Sequence, residues 1–201
     1  MSRLTFFLCA LLLSLPAFPD TILVLGDSIS AGYGIPSEKG WVNLLQQRLN
    51  GQYPGRYQVI NASISGDTSA QGLARLPGLL DTHNPDQVVV ELGGNDGLRG
   101  LPLSHMKDNL QAIIDLARER GADVVLVSVS LPASYGTRFN QLFEEVFASL
   151  AAVNGLPRVN LGFSLLNDRN LLQEDGIHPT QAAQPLLVDA VLPALIGDES
   201  T

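Results

Sequence analysis

The sequence predicts an α/β protein built on a parallel β-sheet with helices on both faces. Three observations carry this. Short aliphatic and β-branched runs alternate along the chain with longer stretches of helical spacing, the mark of repeated βαβ units. The first run, Thr21 to Leu25, is short and apolar, as suits a strand covered on both sides. The first three runs are each followed by a polar, glycine-bearing segment: Gly26-Asp27-Ser28, Ser65-Gly66-Asp67 and Gly93-Gly94-Asn95-Asp96. In an open parallel sheet the carboxyl ends of the strands share one edge, and ligands bind there.

The elements follow in order. Thr21 to Leu25 is the first strand. Trp41 to Leu49 has apolar residues near helical spacing. Tyr57 to Asn61 is the second strand, and Gly72 to Leu80 is helical, with Pro77 expected to kink or shorten it. Gln87 to Leu92 is a β-branched strand. Leu103 to Arg120 is a long amphipathic helix stopped by Gly121. Asp123 to Val129 is the fourth strand, Phe139 to Val153 a helix, and Arg158 to Leu161 a weaker fifth strand. Thr180 to Ile196 is the last helix, with Pro185 as an irregularity. Alternation alone does not give the strand order.

The first 19 of the 201 residues read as a leader rather than as fold. Arg3 is their only charge, and an apolar stretch from Leu4 to Leu15 follows it, in the manner of a signal peptide. That stretch is shorter than the roughly 20 residues that cross a bilayer. The alternative is a buried N-terminal helix. Cleavage is placed after Ala17, although Leu15 is a poor residue two positions before it, and residues 20–201 form one domain. The expected product is periplasmic or secreted, with no stable membrane span. Cys9, the only cysteine, lies in the leader, so the mature chain carries neither thiol nor disulfide. The net charge is −8, or −9 without Arg3, which argues against a nucleic-acid partner.

Two short motifs bear the chemistry. Gly26-Asp27-Ser28-Ile29-Ser30 supplies a serine, and Asp175-Gly176-Ile177-His178-Pro179 supplies a histidine with a carboxylate three residues before it. A serine hydroxyl attacks poorly unless a base takes its proton, and a carboxylate on the far side of the base fixes its tautomer. Ser28, His178 and Asp175 are the candidate nucleophile, base and orienting acid. Each also has a structural reading. Ser28 or Ser30 suits a helix N-cap, and Asp175 with Pro179 suits a helix start. Negative charge on an attacked carbonyl needs donors, for which the N–H of Ser28, the N–H of Gly66 and the amide of Asn95 are candidates. Gly93 and Gly94 are read as turn residues, and His83 and His105 as surface residues. Asp27, Asp67, Glu91 and Asp96 would suit a hard divalent metal. Asp27 and Asp67 are read instead as loop braces, and Glu91, late in an apolar strand, needs a partner if buried, for which Arg75 and Arg99 are candidates. No metal and no cofactor are expected.

Ser28, Gly66, Asn95 and His178, each in its own block and in that order, resemble the SGNH branch of the GDSL hydrolases. The resemblance runs from about Thr21 to about Leu195, and Asn61-Ala62-Ser63-Ile64-Ser65-Gly66-Asp67-Thr68 and Val90 to Gly100 sharpen it. It implies a three-layer α/β/α sandwich with a five-stranded, flavodoxin-like sheet of order 2-1-3-4-5. It also implies a serine esterase and thioesterase acting on aryl esters, acyl thioesters and lysophospholipids. An acyl pocket is expected beside Ser28, built from Leu98 to Leu103 and Leu131 to Gly136 in the loops after the third and fourth strands, with Leu98, Leu101 and Tyr135 as its contacts. A small acyl ester or thioester is the expected partner, met by a monomer. The rival readings are a carbohydrate O-acetylesterase of the same superfamily and a non-catalytic lipid-binding protein.

Overall fold

A computed structural model describes residues 18–162 and 168–197. The leader reading, Cys9 included, concerns residues 1–19, of which 1–17 lie outside the described residues.

The strands are β1 (Asp20–Gly26), β2 (Tyr57–Asn61), β3 (Gln87–Glu91), β4 (Asp123–Ser128) and β5 (Arg158–Asn160). All pair in parallel, in the order β2-β1-β3-β4-β5. The helices are α1 (Ser28–Ala31), α2 (Trp41–Gln52), α3 (Ser69–His83), α4 (Gly94–Leu98), α5 (Leu103–Glu119), α6 (Thr137–Asn154) and α7 (Gln184–Ile196). No helix among the described residues is long and apolar enough to cross a membrane.

The three layers follow from the period-2 alternation of side chains along a strand. Leu23, Leu25, Val88, Val90, Val124 and Leu126 face one way and pack with Leu76 of α3, Ile113 of α5 and Phe147 of α6. Their neighbours Ile22, Val24, Val89, Val125 and Val127 face the other way, against Trp41 and Leu45 of α2 and Val188 and Val191 of α7. Burial on both faces explains why these strands are apolar throughout. It also leaves only the loops at the strand ends free to carry polar chemistry.

Several helix ends differ from the sequence expectation. Helix α3 begins at Ser69, three residues before Gly72. Thr68 caps it: its hydroxyl accepts the Gln71 N–H while the Gln71 side chain accepts the Thr68 N–H. Pro77 does not shorten α3: it lies on the exposed face of the helix, which runs on past it to His83. Pro185 is no irregularity. The segment from Thr180 first makes a 3-10 turn, Gln181–Ala183, and Pro185 then sits in the first turn of α7, where no N–H is required. The proline inside α7 is Pro193.

Candidate active site

Strand β1 delivers Ser28. The chain turns sharply after Gly26, so closely that a Cβ on Gly26 would lie 2.7 Å from the Ser30 Cβ. Asp27, not Ser28 or Ser30, caps the short helix α1: its Oδ1 accepts the Ile29 N–H at 3.1 Å. Ser28 is therefore the first helical residue, and its side chain is free of the capping role.

His178 arrives from the other end of the chain. Its segment starts no helix. It is a tight, hairpin-like turn, closed by a Leu172–Pro179 bridge and by the Gln173 N–H donating to the His178 carbonyl at 2.7 Å. Gly176, at φ +69°, supplies the left-handed residue that the reversal needs. Asp175 Oδ1 accepts the N–H groups of Ile177 and His178, which aims Oδ2 at the ring. His178 Nδ1 lies 2.6 Å from Asp175 Oδ2, and Nε2 lies 2.8 Å from Ser28 Oγ. Partial burial raises the Asp175 pKa, but hydrogen bonds from the His178 ring and from the two N–H groups outweigh it and hold the carboxyl below its ordinary value. An ionised carboxylate only accepts, so Nδ1 carries the proton and Nε2 is left to accept from Ser28.

Asn95 sits in α4, directly after β3. Its Nδ2 donates to Asp27 Oδ2 and to the Asp67 carbonyl, each at 3.0 Å. Gly66, at φ +87°, offers its carbonyl to Arg99 Nη2 at 2.7 Å. The backbone N–H groups of Ser28 and Gly66 have no hydrogen-bond partner among the described residues.

Beneath these loops lie acids that the sequence left without settled partners. Asp67 pairs with Arg75 at 2.7 Å, and Asp96 accepts from the Ser69 hydroxyl and N–H. Glu91 is fully buried and pairs with neither Arg75 nor Arg99. It accepts from the Ser30 hydroxyl at 2.8 Å and from the Asp27 N–H at 3.3 Å. Burial raises its pKa well above the ordinary value, and the nearby Asp27 carboxyl adds to that. Burial also lifts Asp27 to about 6, against hydrogen bonds from Ile29 and Asn95 that favour its charged form.

A cleft opens beside Ser28 and Asn95, walled by Ile29, Leu98, Val129, Leu131, Pro132 and Ile177. Of the three residues expected there, only Leu98 lines it. Tyr135 stacks on Phe139 and donates its hydroxyl to the Leu98 carbonyl at 2.8 Å, so it supports the wall from behind. Leu101 is 39% exposed and outside the lining. Val129 and Leu131 follow β4, and Ile177 belongs to the histidine turn. Leu131 and Pro132 come from the segment expected to build the pocket, whereas nothing in the sequence neighbourhood of Ile177 marks it as a wall residue.

The sequence matches the model of the GDSL-like Lipase/Acylhydrolase family over residues 24–185. It is 46% identical over 189 residues to esterase TesA of Pseudomonas aeruginosa, covering 94% of each chain. It is 42% identical over 188 residues to thioesterase 1/protease 1/lysophospholipase L1 of Escherichia coli, covering 93% of this chain and 88% of that one. Among solved structures it resembles the crystal structure of TesA, with a TM-score of 0.82 and 46% identity, covering 88% of this chain and 98% of that one. It also resembles the psychrotrophic esterase EstA from Pseudoalteromonas sp. inhibited by monoethylphosphonate, with a TM-score of 0.81 and 38% identity over 87% of this chain and 96% of that one.

Proposed function

The chain belongs to the GDSL-like lipase/acylhydrolase family, and from that membership we propose that it hydrolyses acyl esters and thioesters through an acyl-enzyme on Ser28. The observation that carries this reading is the unbroken line from Asp175 through His178 to Ser28, with steps of 2.6 and 2.8 Å, at the carboxyl edge of the sheet. His178 Nε2 takes the Ser28 proton as Oγ attacks the acyl carbon. Asp175 stabilises the imidazolium that forms. The carbonyl oxygen, now negative, draws on the unpaired N–H groups of Ser28 and Gly66. Asn95 joins them by sharing or exchanging one of the two acceptors that hold its Nδ2. The bond to the leaving oxygen or sulfur breaks, and the proton on Nε2 passes to that atom. Water, deprotonated in turn by His178, attacks the acyl-enzyme and frees the acid.

The acyl chain occupies the cleft walled by Ile29, Leu98, Val129, Leu131, Pro132 and Ile177. Names of the relatives support esters and thioesters together. The reading is tested by incubating the protein with a phosphonate ester and mapping the modified peptide. Modification on Ser28, with loss of turnover on both p-nitrophenyl butyrate and an acyl-CoA, supports it. Modification elsewhere overturns it.

We infer further that the protein is exported and cleaved near Ala17. The first strand begins at Asp20, so removal of the leader leaves the sheet intact. Mass spectrometry of the exported product checks this, and retention of Arg3 refutes it.

A further inference from the structure

We propose that Tyr33 forms a leaving-group subsite that selects aryl esters, stacking the flat ring of a departing phenol beside His178. This rests on the acyl-hydrolase reading above and goes beyond it by assigning the second half of the substrate. Tyr33 is 54% exposed, although it is a large aromatic residue next to the site. Its ring centroid lies 4.5 Å from that of His178, with the planes tilted by 38°.

The ring stands on a pinned backbone. The Tyr33 N–H donates to the Ser28 carbonyl at 3.0 Å. The Tyr33 carbonyl accepts from Gln173 Nε2 at 2.8 Å, and the same nitrogen donates to the Pro179 carbonyl at 3.1 Å. The Gln173 N–H holds the His178 carbonyl. One side-chain amide thus ties the segment after the nucleophile to the segment of the base. Gly34 makes this contact possible, since a Cβ there would lie 2.5 Å from Gln173 Oε1. An exposed ring held this way is pre-organised, and a ligand stacking on it gives up little further chain freedom.

Chemistry places the leaving group on this side. The tetrahedral intermediate on Ser28 directs its acyl chain into the cleft, which Tyr33 does not line, and its oxyanion toward Gly66 and Asn95. The third substituent must approach His178 Nε2. When the intermediate collapses, the carbon–oxygen bond to the aryl group breaks. Its electron pair stays on the aryl oxygen, the Nε2 proton passes to that oxygen, and phenol and the Ser28 ester result. The ring attached to that oxygen then lies beside His178, within reach of the exposed Tyr33 face. Offset stacking on a fixed aromatic face gains affinity that an alkyl group of equal bulk cannot match.

The test compares phenyl, cyclohexyl and ethyl butyrate with wild type, Tyr33→Ala and Tyr33→Phe. The quantity read is kcat/KM, which reports events up to departure of the leaving group. The ratio of mutant to wild type within each ester cancels intrinsic reactivity. Tyr33→Ala is expected to lose about tenfold on phenyl butyrate and several-fold less on the cyclohexyl and ethyl esters. Tyr33→Phe is expected to rescue the phenyl value, because the face and not the hydroxyl is at work. Equal losses on all three esters would make Tyr33 a support for His178 and overturn the proposal. No loss on any of them would also overturn it. Failure of the hydrolase reading itself has a different signature: turnover of all three esters surviving Ser28→Ala.

Discussion

Asn95 Nδ2 donates to the buried carboxyl of Asp27 at 3.0 Å, which joins the loop after β3 to the cap of the helix that begins with Ser28. The candidate oxyanion donor and the candidate nucleophile are therefore positioned by one side chain. Asn95→Ala should lower kcat by about 10²–10³-fold and change KM much less, since the amide acts on charge that appears in the transition state. Steady-state kinetics on p-nitrophenyl butyrate decide this. A loss confined to KM would make Asn95 a ground-state binding residue.

Ser28→Ala should remove about 10⁴–10⁶-fold of kcat. The serine side chain does not cap its helix, so thermal stability should change little. Near-normal turnover in this variant would refute the acyl-enzyme assignment.

The Asp27 carboxyl gives stability a pH dependence whose sign can be worked out. Its pKa rises from 3.8 to about 6 on folding. Across that window the folded state holds more protons than the unfolded state, so stability falls as pH rises. Glu91, also raised by burial, pushes in the same direction. Asp175 is lowered, and its contribution is instead lost as pH falls below the ordinary carboxylate range. The difference in unfolding free energy between wild type and Asp27→Asn should decline from about pH 4 to about pH 6, then level off. Chemical denaturation at several pH values measures it, and a flat or rising difference contradicts the buried-acid account.

Leu98→Ala should weaken hydrolysis more as the acyl chain lengthens, at up to about 0.8 kcal/mol for each methylene that loses its contact. Leu101→Ala should show no such trend, because its side chain stands outside the cleft. A p-nitrophenyl ester series from acetate to decanoate tests both. A length-dependent loss at Leu101 with none at Leu98 would reverse the assignment.

Thr68→Ala should cost about 1 kcal/mol, within the range of about 0.5–2 kcal/mol for lost N-caps. The reciprocal pairing with Gln71 makes this cap hard to replace. Unfolding free energies of the two proteins are the measurement.

The alternation of strands and helices, the apolar core runs and the pairing of Asp175 with His178 follow from the sequence alone. These were legible because their causes are local. A strand buried on both faces must be apolar, and a reactive loop must follow a strand end. Asp175 reaches His178 within one turn of chain. The Thr68-x-x-Gln71 box was equally local, and reading it would have placed the start of α3 correctly. Strand order came from the family resemblance, not from the alternation.

Tertiary structure decided what depends on contacts between distant segments. Glu91 finds Ser30 and Asp27 only because β3 lies beside β1, and Asn95 finds Asp27 for the same reason. Ile177 joins Val129 in the cleft wall, and Gln173 clasps the backbone of Tyr33, only after the histidine turn has docked near α1. Such contacts are set by packing across the sheet edge, between segments far apart in the chain, as Glu91 and Asp27 are at a separation of 64. Neither hydrophobic period nor capping chemistry extends over that distance, because both express interactions within a few residues of chain.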